Sequence, residues 1–398
     1  MQNNNEPLLK VEHLCQYFKM EGGELKAVDD VSFEIQKGEV FGLVGESGCG
    51  KTTTGRSIIK LYNITSGDVY FKGYRIAAGK RSYQEAIKAA REAYAASGKT
   101  AEDKAKLDAA IAENKAAIKA AQRDQRDCDK AYIADQVARV EEKYRALLAD
   151  AEESEKDRLN AEYRKELDKA RRTRLVTQIQ MIFQDPIASL NPRMTVREII
   201  SEGLIIQGEK DKKVIDERVY EMLELVGLVR EHASRYPHEF SGGQRQRIGV
   251  ARSIIMNPDL IIADEPVSAL DVSVQAQVIN LLNDLREKFG LTILFIAHDL
   301  SVVKYFSDRI GVMYYGKMVE MASSDELFLN PLHPYTKSLL SAIPLPDPIY
   351  ERSRKRIVYN PLAEHDYSVD KPTFREIKPG HFVQCNDAEF ERYKRELK

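Results

Sequence analysis

The sequence predicts an α/β fold built on parallel strands, and three observations support that prediction. Short apolar runs with β-branched residues, at 40–44, 260–263 and 291–297, alternate with longer stretches of helical periodicity. Each run ends in residues suited to chemistry: a Gly-rich loop, Asp264-Glu265, and His298-Asp299. Ligand sites of open α/β sheets lie at the carboxyl ends of their strands. The loop itself, Gly45-Glu46-Ser47-Gly48-Cys49-Gly50-Lys51-Thr52, sits between an apolar run and a helix that Thr53 continues. That strand–loop–helix context is what a G-x-x-x-x-G-K-[ST] phosphate cradle requires.

In such a cradle, Gly45, Gly48 and Gly50 let backbone N–H groups converge on phosphate oxygens, and the helix N-terminus adds a favourable dipole. Lys51 is expected to reach the β/γ-phosphates and the Thr52 hydroxyl to ligate Mg²⁺. Upstream, residues 8–14 and 31–35 read as strands, with turn formers at Gly22-Gly23 and Asp29-Asp30. Tyr17-Phe18 follows the first strand; an aromatic there can stack on an adenine ring or sit in the core.

After a strand at 67–71 and a turn at Lys72-Gly73 the composition changes. Residues 77–173 contain no proline and are dominated by Ala, Glu, Asp, Lys and Arg, with basic and acidic residues nearly balanced. Apolar positions recur at 3/4 spacing through Leu107, Ile111, Ile118, Ile133, Val137, Val140, Tyr144, Leu147 and Ala151. That pattern predicts long helices with a narrow coiled-coil seam. Both ends must return to one sheet, so the expectation is an antiparallel hairpin with its tip near residues 124–130. Arms of about 45 residues would project on the order of 65 Å. Ser97-Gly98-Lys99-Thr100 predicts a break in the first arm, a helix stop followed by a Thr100 cap. A charged and largely disordered insertion is the competing reading.

Residues 178–183 form the next expected strand, leading into Gln184-Asp185-Pro186. From there to Pro258 the pattern is helical, with helices at 196–206, at 214–226 and after Ser241. A helix at 274–289 follows, and two short strands at 309–313 and 317–321 flank Tyr315-Gly316. Carboxylates closing an apolar strand are costly unless they serve a cation or water. Behind a phosphate loop, Asp264 is expected to hold Mg²⁺ and Glu265 to polarise the attacking water. Ser241-Gly242-Gly243-Gln244 opens a helix and is a second candidate phosphate site. Two such sites in one chain are reconciled if two chains pair head to tail, each nucleotide lying between one chain's loop and the other's Ser-Gly-Gly-Gln. Pattern alone predicts no fold for residues 345–398, which include a basic stretch at 352–356.

Of 398 residues, 43% are hydrophobic, enough for a substantial core, and 31% are charged. The 60 basic and 62 acidic side chains leave a net charge of −2, so no nucleic-acid partner is expected. Cys15, Cys49, Cys128 and Cys385 form no C-x-x-C pair, which argues against a disulfide framework or zinc ribbon. The N-terminus lacks the pattern of a signal peptide, and no run of 18 apolar residues occurs. Any membrane role is expected to run through a partner.

Phe240-Ser241-Gly242-Gly243-Gln244-Arg245-Gln246-Arg247 resembles the signature sequence of ATP-binding cassette (ABC) transporter ATPases. The likeness extends over 8–76 and 174–344, with the family's other elements in family order. It implies an ABC-type P-loop nucleotide-binding core at 1–76 and 174–330, with a helical subdomain at about 185–257. A helical insertion would then occupy 77–173 and a C-terminal extension 331–398. The resemblance also implies ATP as substrate, with Mg²⁺ held by Thr52, Gln184 and Asp264. Glu265 is implied as catalytic base, His298 as a switch histidine contacting the γ-phosphate, and Gln184 as the Q-loop residue near Mg²⁺, water and the membrane subunit. Phe18 is implied to stack on adenine, with Tyr17 as second choice. Gly45, Ser47, Gly48, Gly50, Lys51, Thr52 and Thr53 are implied to bind the phosphates. Ser241, Gly242, Gly243 and Gln244, with Asp271 of Ser268-Ala269-Leu270-Asp271, are implied to meet the nucleotide across a dimer interface.

Asn330-Pro331-Leu332-His333-Pro334-Tyr335-Thr336, continuing to Pro344, resembles the tail of oligopeptide/dipeptide importer ATPases. Lys378-Pro379-Gly380-His381-Phe382-Val383 resembles the F-type subunit of oligopeptide importers. The implied function is ATP hydrolysis coupled to oligopeptide import, by a peripheral subunit on the cytoplasmic face of the cell membrane. Implied partners are a second, non-identical ATPase chain, two membrane-spanning permease subunits and, indirectly, an extracytoplasmic peptide-binding protein. Because Cys385 is the tail's single cysteine, no iron–sulfur cluster is expected. The insertion implies a further partner of unknown identity. The alternatives are a non-transport ABC ATPase with a coiled-coil arm acting on DNA or ribosomes, and an importer of another solute such as nickel.

Overall fold

A computed structural model of the chain describes residues 6–268, 270–343 and 356–397. Ala269, Pro344 and residues 352–355 of the basic stretch lie outside the described residues. The N-terminal ribbon pairs β1 (Leu9–Met20) with β2 (Gly23–Ile35), turning at Gly22-Gly23 as expected. β2 runs on through Asp29-Asp30, the second region read as a turn. Asp30 takes a positive φ of 62°, and the register shifts between Leu14 and Tyr17, so Asp29-Asp30 makes a bulge rather than a reversal. β4 (Ser66–Phe71) and β5 (Tyr74–Ala78) complete an antiparallel sheet in the order β2-β1-β4-β5. The expected insertion boundary at residue 77 therefore falls inside β5. Its Ala77-Ala78 ending carries no strand signal of its own, and its extended form goes with pairing to Val69 and Asp68 of β4.

The central sheet contains β3 (Val40–Val44), β6 (Ile179–Ile182), β7 (Leu260–Asp264), β8 (Thr292–Ala297), β9 (Arg309–Tyr314) and β10 (Lys317–Ser323). The tail adds β11 (Thr373–Lys378) and β12 (His381–Cys385), giving the order β11-β12-β10-β9-β3-β8-β7-β6. Strands β6, β7, β8, β3 and β9 are mutually parallel. Their runs are continuously apolar because both faces are covered. Val40 and Val44 face one core while Phe41 and Leu43 face the other, and Ile293/Phe295 and Leu294/Ile296 divide the same way. One core lies against the antiparallel sheet and the other against the helices. Helix α1 (Lys51–Ile58) follows β3 directly, and Ile58 packs into the first of these cores.

Three helices, and not one hairpin, occupy the insertion: α2 (Arg81–Ala96), α3 (Ala101–Asp150) and α4 (Glu153–Arg172). The break at Ser97-Gly98-Lys99 lies where expected, and Thr100 caps α3 in a capping box with Asp103. The tip expected near 124–130 is instead the middle of a 50-residue helix, roughly 75 Å long. No Gly or Pro lies between 101 and 150, so nothing stops the helix before Ala151-Glu152. Cys128 and Tyr132, near its centre, are buried in the core beside Ile58, Leu175 and Ile179. Arg75 pairs with Asp124 at 2.6 Å and Lys60 donates to Gln125 O at 3.3 Å, fixing α3 to β5 and to the chain after α1. α4 returns along the second half of α3, with Tyr144 against Tyr163 and Lys143 3.0 Å from Glu166. A stripe of 3/4 spacing is the same for a helix that reverses at its centre and for one that crosses the body there, which is why the sequence pattern misplaced the turn.

The segment after β6 is helical, with α5 (Pro186–Ser189), α6 (Val196–Ile206), α7 (Lys212–Leu225) and α8 (Gly242–Ile254). Thr195 and Glu198 form a capping box at α6, whose Val196, Ile199 and Ile200 pack against Val219, Leu223 and Val250 in one core. α9 (Val272–Phe289) and α10 (Leu300–Phe306) cover the same face of the sheet. The tail continues through α11 (Ser324–Leu329) and α12 (Pro334–Ser341) and ends in α13 (Asp387–Glu396). β12 joins the sheet edge at β10, with Glu320 opposite Val383. His381 is buried there, its ring nitrogens 2.8 Å from Glu320 and 3.1 Å from Glu326. No helix among the described residues is long and apolar enough to cross a membrane.

Candidate active site

The residues singled out in the sequence gather at the carboxyl ends of β3, β6, β7 and β8. The loop after β3 is pressed against its neighbours. A Cβ on Gly50 would lie 2.2 Å from Ala27 O, and one on Gly45 would lie 2.2 Å from Met313 O. Both glycines also hold positive φ, 105° and 150°, so only glycine fits. The first hydrogen bond within α1 runs from Thr54 N–H to Gly50 O at 2.9 Å. The amides of Lys51, Thr52 and Thr53 precede it and form an open helix end suited to an anion. Lys51 is buried, and its ammonium donates to Gly45 O at 2.7 Å and Glu46 O at 2.9 Å. The loop thus curls around a positive charge that donates to two of its own carbonyl oxygens.

Asp264 closes β7 with no exposed surface. Its Oδ1 accepts from the Thr52 hydroxyl at 2.7 Å, and its Oδ2 is buried with no hydrogen-bond partner among the described residues. Burial pushes this carboxyl above the ordinary carboxylate value, opposed by the Thr52 hydrogen bond and by the charges of Arg56 and Lys51. Arg56, one turn beyond Thr52 on α1, has a buried Nε that likewise lacks a partner. Its i+4 spacing from Thr52 was the available signal, and the sequence reading passed over it. A hydroxyl, an orphaned carboxylate oxygen and the nearby Gln184 amide make an oxygen-rich donor set that fits a hard divalent cation.

Glu265 is the centre of a second group. Its Oε2 accepts from Gln184 Nε2 at 3.0 Å and lies 3.1 Å from His298 Nδ1. Its backbone is held at φ 43°, with its N–H bonded to Ile296 O at 2.9 Å. A left-handed glutamate is a strained conformation kept only where the surroundings impose it. The Glu265 side chain is 13% exposed and that of His298 is 54% exposed, so the group opens to solvent on one side.

Other expected residues stand apart. Tyr17 hydrogen-bonds Asp29, and its ring is covered by the cations of Lys26 and Arg81, 5.1 and 5.2 Å from its centre. Phe18 is half-buried and meets Tyr62 edge-on at 5.3 Å. It pairs with Leu25 on β2, two residues before Ala27, which abuts Gly50. Ser241 caps α8 through a box with Gln244, and Ser241 and Gly242 are exposed. Among the described residues no hydrogen bond links this motif to the loop after β3. Gly243 instead crowds Val274 on α9. Asp271 is exposed at the start of α9 and makes no side-chain cap. Phe240 and Leu270 flank these positions, while Ala269 lies outside the described residues.

Family comparison matches residues 28–147 and 144–268 to the ABC transporter family, and residues 319–369 to the C-terminal region of oligopeptide/dipeptide transporters. The oligopeptide transport ATP-binding protein OppF of Bacillus subtilis (strain 168) is 49% identical over 389 residues, covering 98% of this chain and 99% of its own. OppF of Streptococcus pyogenes serotype M1 is 43% identical over 397 residues, covering 99% of this chain and 100% of its own. Among solved structures, the dimeric ATP-binding cassette MJ0796 bound to ADP and Pi matches with a TM-score of 0.51 at 23% identity. That match covers 79% of this chain and 98% of MJ0796, and it establishes the cassette fold. On the loop after β3, the carboxylates closing β7 and these matches together, the chain belongs to the ABC transporter family, among its oligopeptide/dipeptide transport ATP-binding proteins.

Proposed function

We propose that this chain hydrolyses ATP as the peripheral subunit of an oligopeptide importer, on the cytoplasmic face of the cell membrane. The observation that supports the reading best is the paired arrangement at the end of β7. Asp264 is tied to the loop through Thr52, and Glu265 is tied to Gln184 and His298. Lys51 exchanges its carbonyl partners for phosphate oxygens of ATP, while Gly45, Ser47, Gly48, Gly50, Thr52 and Thr53 line the phosphates with it. Thr52, Asp264 and Gln184 would hold Mg²⁺, which when bound neutralises phosphate charge. Glu265 accepts the proton of the water that attacks the γ-phosphorus as the bond to the β–γ bridging oxygen breaks. His298 orients that carboxylate and faces the γ-phosphate. Phe18 stacks on the adenine.

Ser241-Gly242-Gly243-Gln244, exposed at Ser241 and Gly242, and the exposed Asp271 complete the site of a second ATPase chain, which we take to be non-identical. Two permease subunits carry the solute and an extracytoplasmic binding protein delivers it. ATP closes the pair of cassettes and hydrolysis reopens it, which biases the permease between two states. The match of residues 319–369 to the oligopeptide/dipeptide tail favours import over action on DNA or ribosomes. Peptide uptake tests the reading. Cells lacking this chain are expected to lose uptake, regain it with the wild-type gene and stay deficient with Glu265→Gln. Normal uptake of every peptide length offered in the absence of the chain would contradict it.

A further inference from the structure

We propose that Tyr335, carried by the C-terminal extension, is a positioning residue for the phosphate loop. His333 caps α12, its Nδ1 accepting from Tyr335 N–H at 3.1 Å, and Pro334 fixes the first helical turn. This start is itself pinned, because Glu320 accepts from Leu332 N–H at 2.8 Å and His333 N–H at 3.1 Å. The geometry sends the Tyr335 side chain, 2% exposed, beneath the loop. Its hydroxyl accepts the Glu46 N–H at 3.0 Å, across 289 positions of sequence.

Glu46 is held on its other side from within the loop, where its carbonyl accepts from Lys51 Nζ at 2.9 Å and from Cys49 N–H at 3.3 Å. From outside the loop, Gly316 N–H bonds Cys49 O at 3.0 Å and Tyr335 bonds Glu46. When Lys51 leaves the Glu46 carbonyl for a phosphate oxygen, the Tyr335 bond is what still fixes that residue from the body of the protein. Glu46 is not one of the residues taken to cradle phosphate, so Tyr335 supports the loop without competing for the nucleotide. The ring is itself wedged between Tyr314 at 4.4 Å and Tyr359 at 5.5 Å. Tyr359 stands 5.7 Å from His365, which pairs with Glu389 of α13 at 2.5 Å. A continuous packed path therefore joins the end of the chain to the nucleotide loop, and ATP affinity depends on the docked tail.

The inference rests on the nucleotide reading of the loop, which Lys51→Ala tests separately. ATP binding and hydrolysis are measured on the full-length chain with Mg²⁺ for wild type, Tyr335→Phe, Tyr359→Phe and Lys51→Ala. Tyr335→Phe keeps the ring and removes one neutral hydrogen bond, so the ATP Kd and KM are expected to rise roughly three- to tenfold. The kcat should be unchanged, as for a loss of uniform binding. Tyr359→Phe, whose hydroxyl makes no bond to the loop among the described residues, should bind ATP as wild type does. Wild-type Kd and KM in Tyr335→Phe, or an equal loss in Tyr359→Phe, would overturn the positioning role. Wild-type ATP binding by Lys51→Ala would overturn the site reading instead. Should Tyr335→Phe fail to fold, hydrogen exchange on the nucleotide-free wild type decides: the Glu46 amide is expected to be protected, and exchange at open-loop rates would overturn the proposal.

Discussion

The Thr52 hydroxyl donates to Asp264 Oδ1 at 2.7 Å across 212 positions of sequence, and the other oxygen of that carboxylate is buried without a hydrogen-bond partner among the described residues. A buried unsatisfied charge destabilises the folded chain until something fills the place beside it. Asp264→Asn removes the charge and keeps an acceptor for Thr52. It is expected to raise the melting temperature of the nucleotide-free chain while lowering Mg²⁺-dependent hydrolysis by at least about a hundredfold. Thermal melts and steady-state turnover check both halves. A variant that melts lower than wild type and still hydrolyses ATP would contradict the assignment.

The insertion contributes to the core rather than hanging from it. Tyr132 of α3 is 5% exposed, accepts from Gln178 Nε2 at 2.9 Å, and packs edge-on against Tyr74 at 5.6 Å. Tyr132→Ala is expected to cost about 3 kcal/mol of global stability, in line with other large-to-small changes of buried aromatics. Replacing residues 80–173 by a short linker should do at least as much harm, since it uncovers Leu175 and Ile179. Denaturant melts followed at the cassette check this. A deletion that melts like wild type would mean that α3 merely rests on the surface.

Glu389 ties the tail together by accepting from Asn386 N–H at 3.0 Å and Tyr367 OH at 3.2 Å and pairing with His365. Burial alone would push its carboxyl up, but the His365, Asn386 and Tyr367 hydrogen bonds outweigh that and hold it below the ordinary 4.5. A carboxyl depressed in the folded chain lends stability that is present above 4.5 and lost as pH falls through the lower folded value. Glu389→Gln is therefore expected to cost about 1.5–3 kcal/mol near neutral pH, with the gap to wild type closing below 4.5. Melts across that range check it, and a gap independent of pH would contradict the linkage.

What the sequence made legible follows from how local each signal is. The loop at 45–52 and the pair Asp264-Glu265 are read from adjacent residues, and each lies at a strand end because continuous apolar runs precede it. Helix α6 was legible from its helical pattern at 196–206, and the structure adds the Thr195–Glu198 capping box that starts it. β5 was missed, since Ala77-Ala78 carries no strand signal of its own and its extended form goes with pairing to β4. The course of α3 was misread because its stripe records a buried face without saying what covers it. The joining of β12 to β10, and the reach of Tyr335 to Glu46, depend on pairings far apart in sequence that no window of residues contains.

Glu265 gives the most direct test of the account. Its Oε2 accepts from Gln184 Nε2 at 3.0 Å and lies 3.1 Å from His298 Nδ1, and in the proposed reaction it takes the proton; the amide of Glu265→Gln keeps the shape but not the basicity. With Mg²⁺ present, the variant is expected to bind ATP as tightly as wild type and to hydrolyse it roughly 10²- to 10⁴-fold more slowly. ATP binding retained together with wild-type turnover would contradict the claim that Glu265 is the base of this site.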